Sequence, residues 1–278
     1  HGSLIVPAHS SGELAPGQTF MAMHWGGEYL GGRSSTGAPL AGVNTLTTPA
    51  FCPVSRQPEL KHTPVKILRA ELPWSLLAMA WLPEDQALAA REALRALMPS
   101  FGFAACVPFG RERTGLLLRA ADYDIPPDEL LTRIESLMGL CGVDVLRYAD
   151  RRRGQRRAAR LVRSGAETRL DAFLLAGDTR AEAWIRAVLQ DELPAQDYGR
   201  QLLAPGAAAP VAVAPRSPQV CTCFNVGEAA IRSTLAACTG GEDQRLQTLQ
   251  DTLKCGTNCG SCIPALRRLA RTGAAVPA

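Results

Sequence analysis

Clustered cysteines near the C-terminal end place the strongest constraint on what this chain can fold into. Cys221-Thr-Cys223 is followed by Cys255-Gly-Thr-Asn-Cys259-Gly-Ser-Cys262. Four thiolates carried on short glycine-containing loops can enclose a zinc ion or a 2Fe–2S cluster. C-x-C is a tighter first pair than zinc sites generally use, and disulfides between cysteines so close in sequence would be strained. The pattern therefore predicts a small domain that binds a metal centre. A 2Fe–2S cluster is the first candidate, and a zinc ion with a structural role is the alternative.

Composition and charge limit the class of protein. The chain has 278 residues, of which 46% are hydrophobic and 20% charged, so we expect two or three domains with buried cores. Every apolar run is interrupted before bilayer length, and no signal peptide is visible. Nine cysteines, six of them within the last 58 residues, do not resemble a secreted disulfide framework, and such clustering in a cytosolic-looking chain more often binds metal. A net charge of +4 gives little reason to expect a nucleic-acid partner. The start, His-Gly-Ser-Leu, is typical of a fragment or a trimmed chain.

Shifts in composition divide the chain into three parts and a linker. Residues 1–69 are rich in Gly, Pro, Ser and Thr with short apolar runs, which predicts a β-rich barrel portion. Residues 70–202 mix helix and strand patterns and are predicted to be an α/β region. Residues 203–218 are dominated by Ala and Pro, as in a semi-rigid tether. Residues 219–271 are predicted to form a small all-helical domain with its cysteines on loops, giving a multidomain α+β fold.

Individual elements can be placed in the middle region. Flanking prolines and the spacing of apolar residues predict helices at 84–98, from Asp128 onward, and at 179–190. Strands are predicted at 115–119, 143–148 and 172–175. An arginine cluster lies between Arg147 and Arg160. It is interpreted as a solvated hairpin turn, Asp150 to Gly154, that joins two strands, since aromatic residues for base stacking are missing nearby. Docking of an acidic redox protein is the alternative interpretation of this cluster.

The C-terminal motif resembles the bacterioferritin-associated-ferredoxin-like 2Fe–2S domain, on the residues Cys221-Thr-Cys223-Phe-Asn-Val and Cys255-Gly-Thr-Asn-Cys259-Gly-Ser-Cys262. That domain also occurs in nitrogen-fixation scaffold proteins and at the ends of nitrite and nitrate reductases. The resemblance implies four cluster ligands: Cys221, Cys223, Cys259 and Cys262. It leaves Cys255 as a neighbour that is not a ligand, with Cys255 as the natural substitute if one of the four is not a ligand. Cys238 is expected to be a small buried apolar residue.

The N-terminal part carries a second resemblance. Its residues are Phe20-Met-Ala-Met-His24-Trp25-Gly26, Val43-Asn44-Thr-Leu-Thr, and Cys52-Pro-Val-Ser55-Arg-Gln-Pro-Glu59-Leu-Lys61-His-Thr-Pro-Val65. They are similar to the end of the molybdopterin-dinucleotide-binding domain of large molybdenum oxidoreductases, most of all assimilatory nitrate reductase. The resemblance implies that Asn44 and Lys61 contact a molybdenum-bis(molybdopterin guanine dinucleotide) cofactor, with His24 as a candidate for the same pocket. Cys52-Pro53 is a departure, because nitrate-reducing members often have Asp-Pro there.

Together the resemblances imply a C-terminal fragment of a molybdopterin-dependent assimilatory nitrate reductase large subunit. Such an enzyme reduces nitrate to nitrite in the cytoplasm, and a flavoprotein or ferredoxin supplies electrons through the 2Fe–2S cluster. The middle region more loosely resembles the segment before this domain in assimilatory nitrate and nitrite reductases, and is expected to act as a spacer. No catalytic residue is assigned, and this piece is expected to be inactive alone. A formate dehydrogenase-like molybdenum enzyme and a non-catalytic zinc-binding interaction module are the alternatives.

Overall fold

The structure is a computed structural model that describes residues 2–10, 12, 14–40, 42–58, 62–110, 112–206, 208–209, 211 and 217–272. Within these ranges the protein contains both helices and strands, so the prediction of a mixed α and β fold is confirmed. The chain divides into two compact units, His1–Val213 and Ala214–Ala278. Among the described helices, none combines the length and the apolar character needed to cross a membrane.

The first unit is built on an antiparallel sheet whose described strands number seven, in the order β1-β3-β4-β2-β7-β6-β5. The strands are β1 (Leu30–Gly31), β2 (Trp74–Trp81), β3 (Phe103–Phe109), β4 (Gly115–Asp122), β5 (Val145–Asp150), β6 (Gln155–Ser164) and β7 (Glu167–Ala176). Its helices are α1 (Glu84–Leu97), α2 (Asp128–Leu137) and α3 (Glu182–Gln190). Strands β5 and β6 lie between α2 and β7 in the chain and extend the sheet beyond β7. Without these two strands, the order β2-α1-β3-β4-α2-β7 is a β-α-β-β-α-β unit.

Strand β2 lies at the centre of the sheet and is buried on both faces. Leu76 faces one core, which it shares with Leu94 of α1 and Ile134 of α2. Met79 faces the other core, where Trp184 of α3 packs. Because successive side chains of a strand point to opposite faces, one strand can serve both cores. Helices therefore cover the sheet on both sides.

The three helices predicted for the middle region are confirmed, as are the strands β4, β5 and β7. Helix α3 begins at Glu182 rather than at Thr179, because Thr179 still belongs to a turn. The carbonyl oxygen of Thr179 accepts the backbone N–H of Glu182 at 2.9 Å. In the same turn, a carboxylate oxygen of Asp178 accepts the backbone N–H of Arg180 at 3.0 Å.

The prediction of a β-barrel portion at the N-terminus is wrong for the described residues. Before β2 they contain the two-residue strand β1 and isolated bridges, Arg33 with Pro39 and Phe51 with Pro58. Proline has no backbone N–H to donate, so it cannot support a continuous ladder of strand pairing. Apolar side chains stay in contact with solvent, and Phe20 is 77% exposed. The described part of this segment is therefore shaped mainly by turns and not by strand pairing.

The arginine-rich hairpin combines a solvated turn with a buried strand. Residues 151–153 form an exposed 3-10 turn between β5 and β6, as predicted. On β6, however, Arg156 pairs with Glu135 of α2 at 2.7 Å. Arg157 is only 1% exposed and donates to the backbone carbonyl of Asp178 at 3.1 Å. The predicted solvated turn between two strands is therefore present, while Arg156 and Arg157 of β6 hold the sheet to α2 and to the turn that follows β7.

The second unit holds the cysteine motif. Its described elements are β8 (Gln219–Cys221), β9 (Val226–Gly227), α4 (Glu228–Ala236), α5 (Glu242–Leu253) and α6 (Ile263–Thr272). The prediction of an all-helical domain is wrong in one respect, because β8 and β9 pair as a short antiparallel ribbon. The three helices share a core that includes Ile231, Leu249 and Leu266, each 0% exposed. This core supports the ends of the loops that carry the cysteines.

Candidate functional site

Loops at the ends of the ribbon and the helices carry the cysteines of the motif. Cys221 is the last residue of β8, and Cys223 lies in the turn that leads to β9. Cys255 and Cys259 lie in the loop after α5, and Cys262 directly precedes α6. Helix α5 stops because the chain turns sharply there: Lys254, Gly256 and Gly260 all have positive φ, at 57°, 79° and 74°. Glycine adopts that conformation without strain, so the loop can fold back on itself.

The fold brings the four predicted ligands and Cys255 together in two groups. Cys223 and Cys259 lie with their sulfur atoms 3.2 Å apart, Cys259 being exposed and Cys223 half-buried. The thiol of Cys221 is hydrogen bonded to those of Cys262 and Cys255. This second group is buried, with exposed fractions of 2%, 5% and 0% respectively. The site thus has a side that faces solvent and a side that faces the core of the unit.

Cys238 does not take part in either group. It is half-buried, and its thiol donates to the backbone carbonyl of Thr234 at 3.1 Å, one turn earlier in the chain. The sequence predicts a small buried apolar residue at Cys238, whereas it is only partly buried and its thiol makes a polar contact.

Hydrogen-bond donors surround two of the sulfur atoms. Burial opposes ionisation of Cys221, but backbone N–H groups of Phe224 and Gly256 point at its sulfur, and the net effect lowers the pKa of this thiol. At Cys259 the hydroxyl and the backbone N–H of Ser261 lower the pKa to about 7. Donors directed at a sulfur stabilise its anionic form, which is the form that binds metal. The donors at these two positions therefore ease the formation of the thiolate.

The other two buried thiols favour the protonated form in the metal-free chain. Burial raises the pKa of Cys255 to about 12, and the adjacent sulfur of Cys221 adds to the effect. Burial also raises the pKa of Cys262, again with a contribution from Cys221. One anion in this group suppresses the ionisation of its neighbours, because like charges repel at short range. A bound cation would remove that repulsion.

The donor set fits a two-iron cluster. Each iron of a 2Fe–2S cluster requires only two protein thiolates, since bridging sulfides fill its other positions. Cys223 and Cys259 form one pair of neighbouring thiols, and Cys221 and Cys262 form another. All four supply soft sulfur, which iron–sulfur clusters require. The residues present are therefore compatible with such a cluster.

A second candidate site lies in the N-terminal segment, where His24 and Asn44 line one open cavity of about 340 Å³. The backbone N–H of Val43 donates to the carbonyl oxygen of Trp25 at 2.9 Å, which joins the two segments. A Cβ atom at Gly42 would lie 2.6 Å from that same carbonyl oxygen, so only glycine permits the close approach. The third predicted contact, Lys61, lies outside the described residues. An imidazole and a carboxamide at an open cavity can bind the polar edge of a ligand.

Sequence reasoning did not single out the individual groups that donate to the sulfur atoms. The N–H groups of Phe224 and Gly256 leave no signal of their own in a sequence, although a glycine beside a cysteine is a general indication of close backbone approach. Ser261 stands inside the closing C-x-x-C pair, where nothing in the spacing distinguishes a donor from a surface hydroxyl.

Comparison with known proteins adds an independent line of information. Residues 1–64 match the family described as molydopterin dinucleotide binding domain. Residues 219–271 match the family described as BFD-like 2Fe-2S binding domain. A curated relative, the nitrate reductase of Klebsiella oxytoca, is 41% identical over 87 residues, which are 31% of this chain and 9% of that protein. No solved structure matches the chain significantly. The chain therefore joins part of a molybdopterin dinucleotide-binding domain to a BFD-like 2Fe–2S domain, and its cofactors are a molybdopterin dinucleotide and a 2Fe–2S cluster.

Proposed function

We propose that this chain is part of a molybdopterin-dependent nitrate reductase that reduces nitrate to nitrite in nitrate assimilation. The combination of the two cofactor-binding domains in one chain supports an oxidoreductase that passes electrons between them. The partial similarity to a nitrate reductase supports nitrate as the substrate. Because no catalytic residue is assigned, we propose that the chain alone does not turn over nitrate.

The single observation that carries the proposal is the meeting of distant cysteines within the matched C-terminal domain. Cys223 and Cys259 are separated by a ribbon strand and two helices, yet their sulfur atoms are 3.2 Å apart. We propose Cys221, Cys223, Cys259 and Cys262 as the cluster ligands, with Cys255 as a buried neighbour. A bound 2Fe–2S cluster supplies one-electron transfer at this site.

The N-terminal segment has a binding role in this proposal. His24 and Asn44, together with Lys61, would hold part of a molybdenum-bis(molybdopterin guanine dinucleotide). A carboxamide can both donate to and accept from a pterin edge, and an ammonium group can pair with a pyrophosphate. The bound molybdenum supplies the chemistry on the substrate, and these residues orient the cofactor that carries it.

The exposure of the cysteines suggests how a donor reaches the site. Cys259 is exposed whereas Cys221 and Cys262 are buried, so an electron donor would approach the Cys259 side. We propose a flavoprotein or a ferredoxin as that donor, in the cytoplasm and with neither nucleic acid nor membrane as a partner. Residues 1–69 and 219–271 then form the cofactor-binding parts, with residues 70–202 as a spacer and residues 203–218 as a tether.

Anaerobic purification of the chain, followed by absorption spectroscopy and analysis for iron, sulfide and zinc, tests the proposal. We expect a reddish-brown protein with iron and sulfide in equal amounts and a visible spectrum that dithionite bleaches. A colourless chain with stoichiometric zinc would refute the electron-transfer role and favour a zinc-binding interaction module. Assays of the full-length enzyme with nitrate and with formate separate the proposed reaction from that of a formate dehydrogenase-like enzyme.

A further inference from the structure

Two kinds of donor point at the sulfur atoms of the cysteine site. Backbone N–H groups serve the buried side, where Gly256 donates to both Cys221 and Cys262. A side chain serves the exposed side, where the hydroxyl oxygen of Ser261 lies 3.1 Å from the sulfur of Cys259. A side-chain donor differs from a backbone donor in one practical respect, since substitution can remove it without changing the course of the chain.

The position of Ser261 makes this contact specific. Ser261 is two residues after Cys259 and directly before Cys262, and its backbone N–H also points at the Cys259 sulfur. In the metal-free chain either the hydroxyl or the thiol can act as donor across this contact. Once Cys259 is a thiolate ligand it has no proton, so the hydroxyl must donate and the sulfur must accept.

We propose that Ser261 raises the reduction potential of the 2Fe–2S cluster by donating a hydrogen bond to the Cys259 sulfur. This inference rests on the proposed cluster ligands. Reduction adds one negative charge that is shared with the thiolate sulfurs, so a donor stabilises the reduced state more than the oxidised state. Ser261 is a positioning residue in this scheme, because it acts through a ligand and does not itself bind iron.

A redox titration of the cluster-loaded chain, followed by its visible and electron paramagnetic resonance spectra, tests the role of Ser261. We expect Ser261→Ala to keep the cluster and to shift the midpoint potential to a more negative value. A tenfold change in the reduction equilibrium corresponds to ~59 mV for a one-electron couple, and we expect a shift of at most about this size because water can partly replace an exposed donor. Ser261→Thr keeps a hydroxyl and should stay close to the original potential.

Thr257 provides a matched control in the same loop. Its hydroxyl donates to the backbone carbonyl of Lys254 at 2.7 Å rather than to a sulfur, so Thr257→Val should leave the potential unchanged. An unchanged potential in Ser261→Ala, or an equal shift in Thr257→Val, would overturn the role of Ser261 while leaving the cluster in place. If Ser261→Ala loses the cluster, Ser261→Thr still decides the question, since loss there as well would point to a purely structural role. A wild-type chain that binds no cluster would refute the proposed function itself.

Discussion

Substitution of two glycines in the cysteine loop separates the cost of backbone strain from the loss of contacts to sulfur. Gly256 and Gly260 have nearly the same conformation, with φ of 79° and 74°. A Cβ atom at Gly256 would lie 3.0 Å from Ile263 Cγ1, whereas one at Gly260 would lie 3.6 Å from Ile263 Cδ1. The N–H of Gly256 also donates to the buried sulfurs of Cys221 and Cys262.

The expected magnitudes follow from these differences. Alanine in the left-handed region costs about 1 kcal/mol relative to glycine, and this cost applies to both positions. At Gly256, relaxation away from that conformation also turns the N–H away from the sulfurs, and a hydrogen bond to a charged group contributes ~1.5–3 kcal/mol. We therefore expect Gly260→Ala to lower the free energy of unfolding of the second unit by about 1 kcal/mol, and Gly256→Ala by about 3 kcal/mol.

Urea unfolding of the cluster-loaded chain measures both effects, with cluster absorbance as the readout for the second unit. The four tryptophans all precede Val213, so tryptophan fluorescence reports on the first unit and serves as an internal control. We expect bleaching of Gly256→Ala at a clearly lower urea concentration than bleaching of Gly260→Ala, with the fluorescence transition unchanged. Equal losses in the two variants would refute the reasoning, because backbone strain alone would then explain them.

Three further predictions concern the cluster ligands and the first unit. Cys259→Ser should abolish the cluster absorbance whereas Cys255→Ser should keep it, and the reverse result would overturn the ligand assignment. Gly177→Ala should destabilise the first unit by more than about 3 kcal/mol, because its Cβ would lie 2.4 Å from a backbone carbonyl oxygen of the β5–β6 turn. Gly165→Ala has a similar φ of 66° with no atom within 4 Å, and should cost about 1 kcal/mol in fluorescence-detected unfolding. Hydrogen bonds from the Arg180 guanidinium lower the pKa of Asp178 from 3.8 to about 2. The contribution of ionised Asp178 to the stability of the folded state is therefore complete above pH 3.8 and is lost as the pH falls toward 2. Because the exposed Arg180 is screened by solvent, Asp178→Asn should remove about 1 kcal/mol of acid sensitivity from a stability measurement across that interval, and an unchanged acid limb would contradict this.

The cysteine site could be anticipated from sequence because its chemistry is local. Each pair of ligands lies within a few residues, and thiolates have few alternative uses at such spacing. What the sequence did not contain is the division into a buried and an exposed side. That division depends on α5 and α6, whose core residues Leu249 and Leu266 enclose one end of the site.

Strand β2 shows why part of the fold could not be read from the sequence. Its sequence, Trp-Ser-Leu-Leu-Ala-Met-Ala-Trp, is rich in Leu, Ala and Met, which favour helices, and it lacks the alternation of a half-buried strand. Only pairing with β4 on one side and β7 on the other makes this segment a strand. Tertiary contacts therefore override the local preference of these residues.

Buried charge was the other feature that sequence reasoning could not reach. Arg157 stands in a run of arginines whose neighbours in the turn are solvated, and nothing in the run marks it as buried. Its partner Asp178 is brought to it by the pairing of β6 with β7. A guanidinium is buried only where the fold supplies such partners, so its burial follows from the sheet and not from composition.

The central place of β2 has a consequence for how the chain is made. Leu76 pairs with Ala176, about a hundred residues later, so β2 leaves the ribosome well before β7 exists. At roughly 5–20 residues per second, synthesis of the intervening chain takes about 5–20 s. During that interval one edge of an apolar strand has no partner, and exposed strand edges are prone to intermolecular pairing. Proteolysis of ribosome-stalled chains that end before and after β7 would reveal this vulnerable period. In any expressed piece that ends before β7, this edge of β2 would stay unpaired permanently.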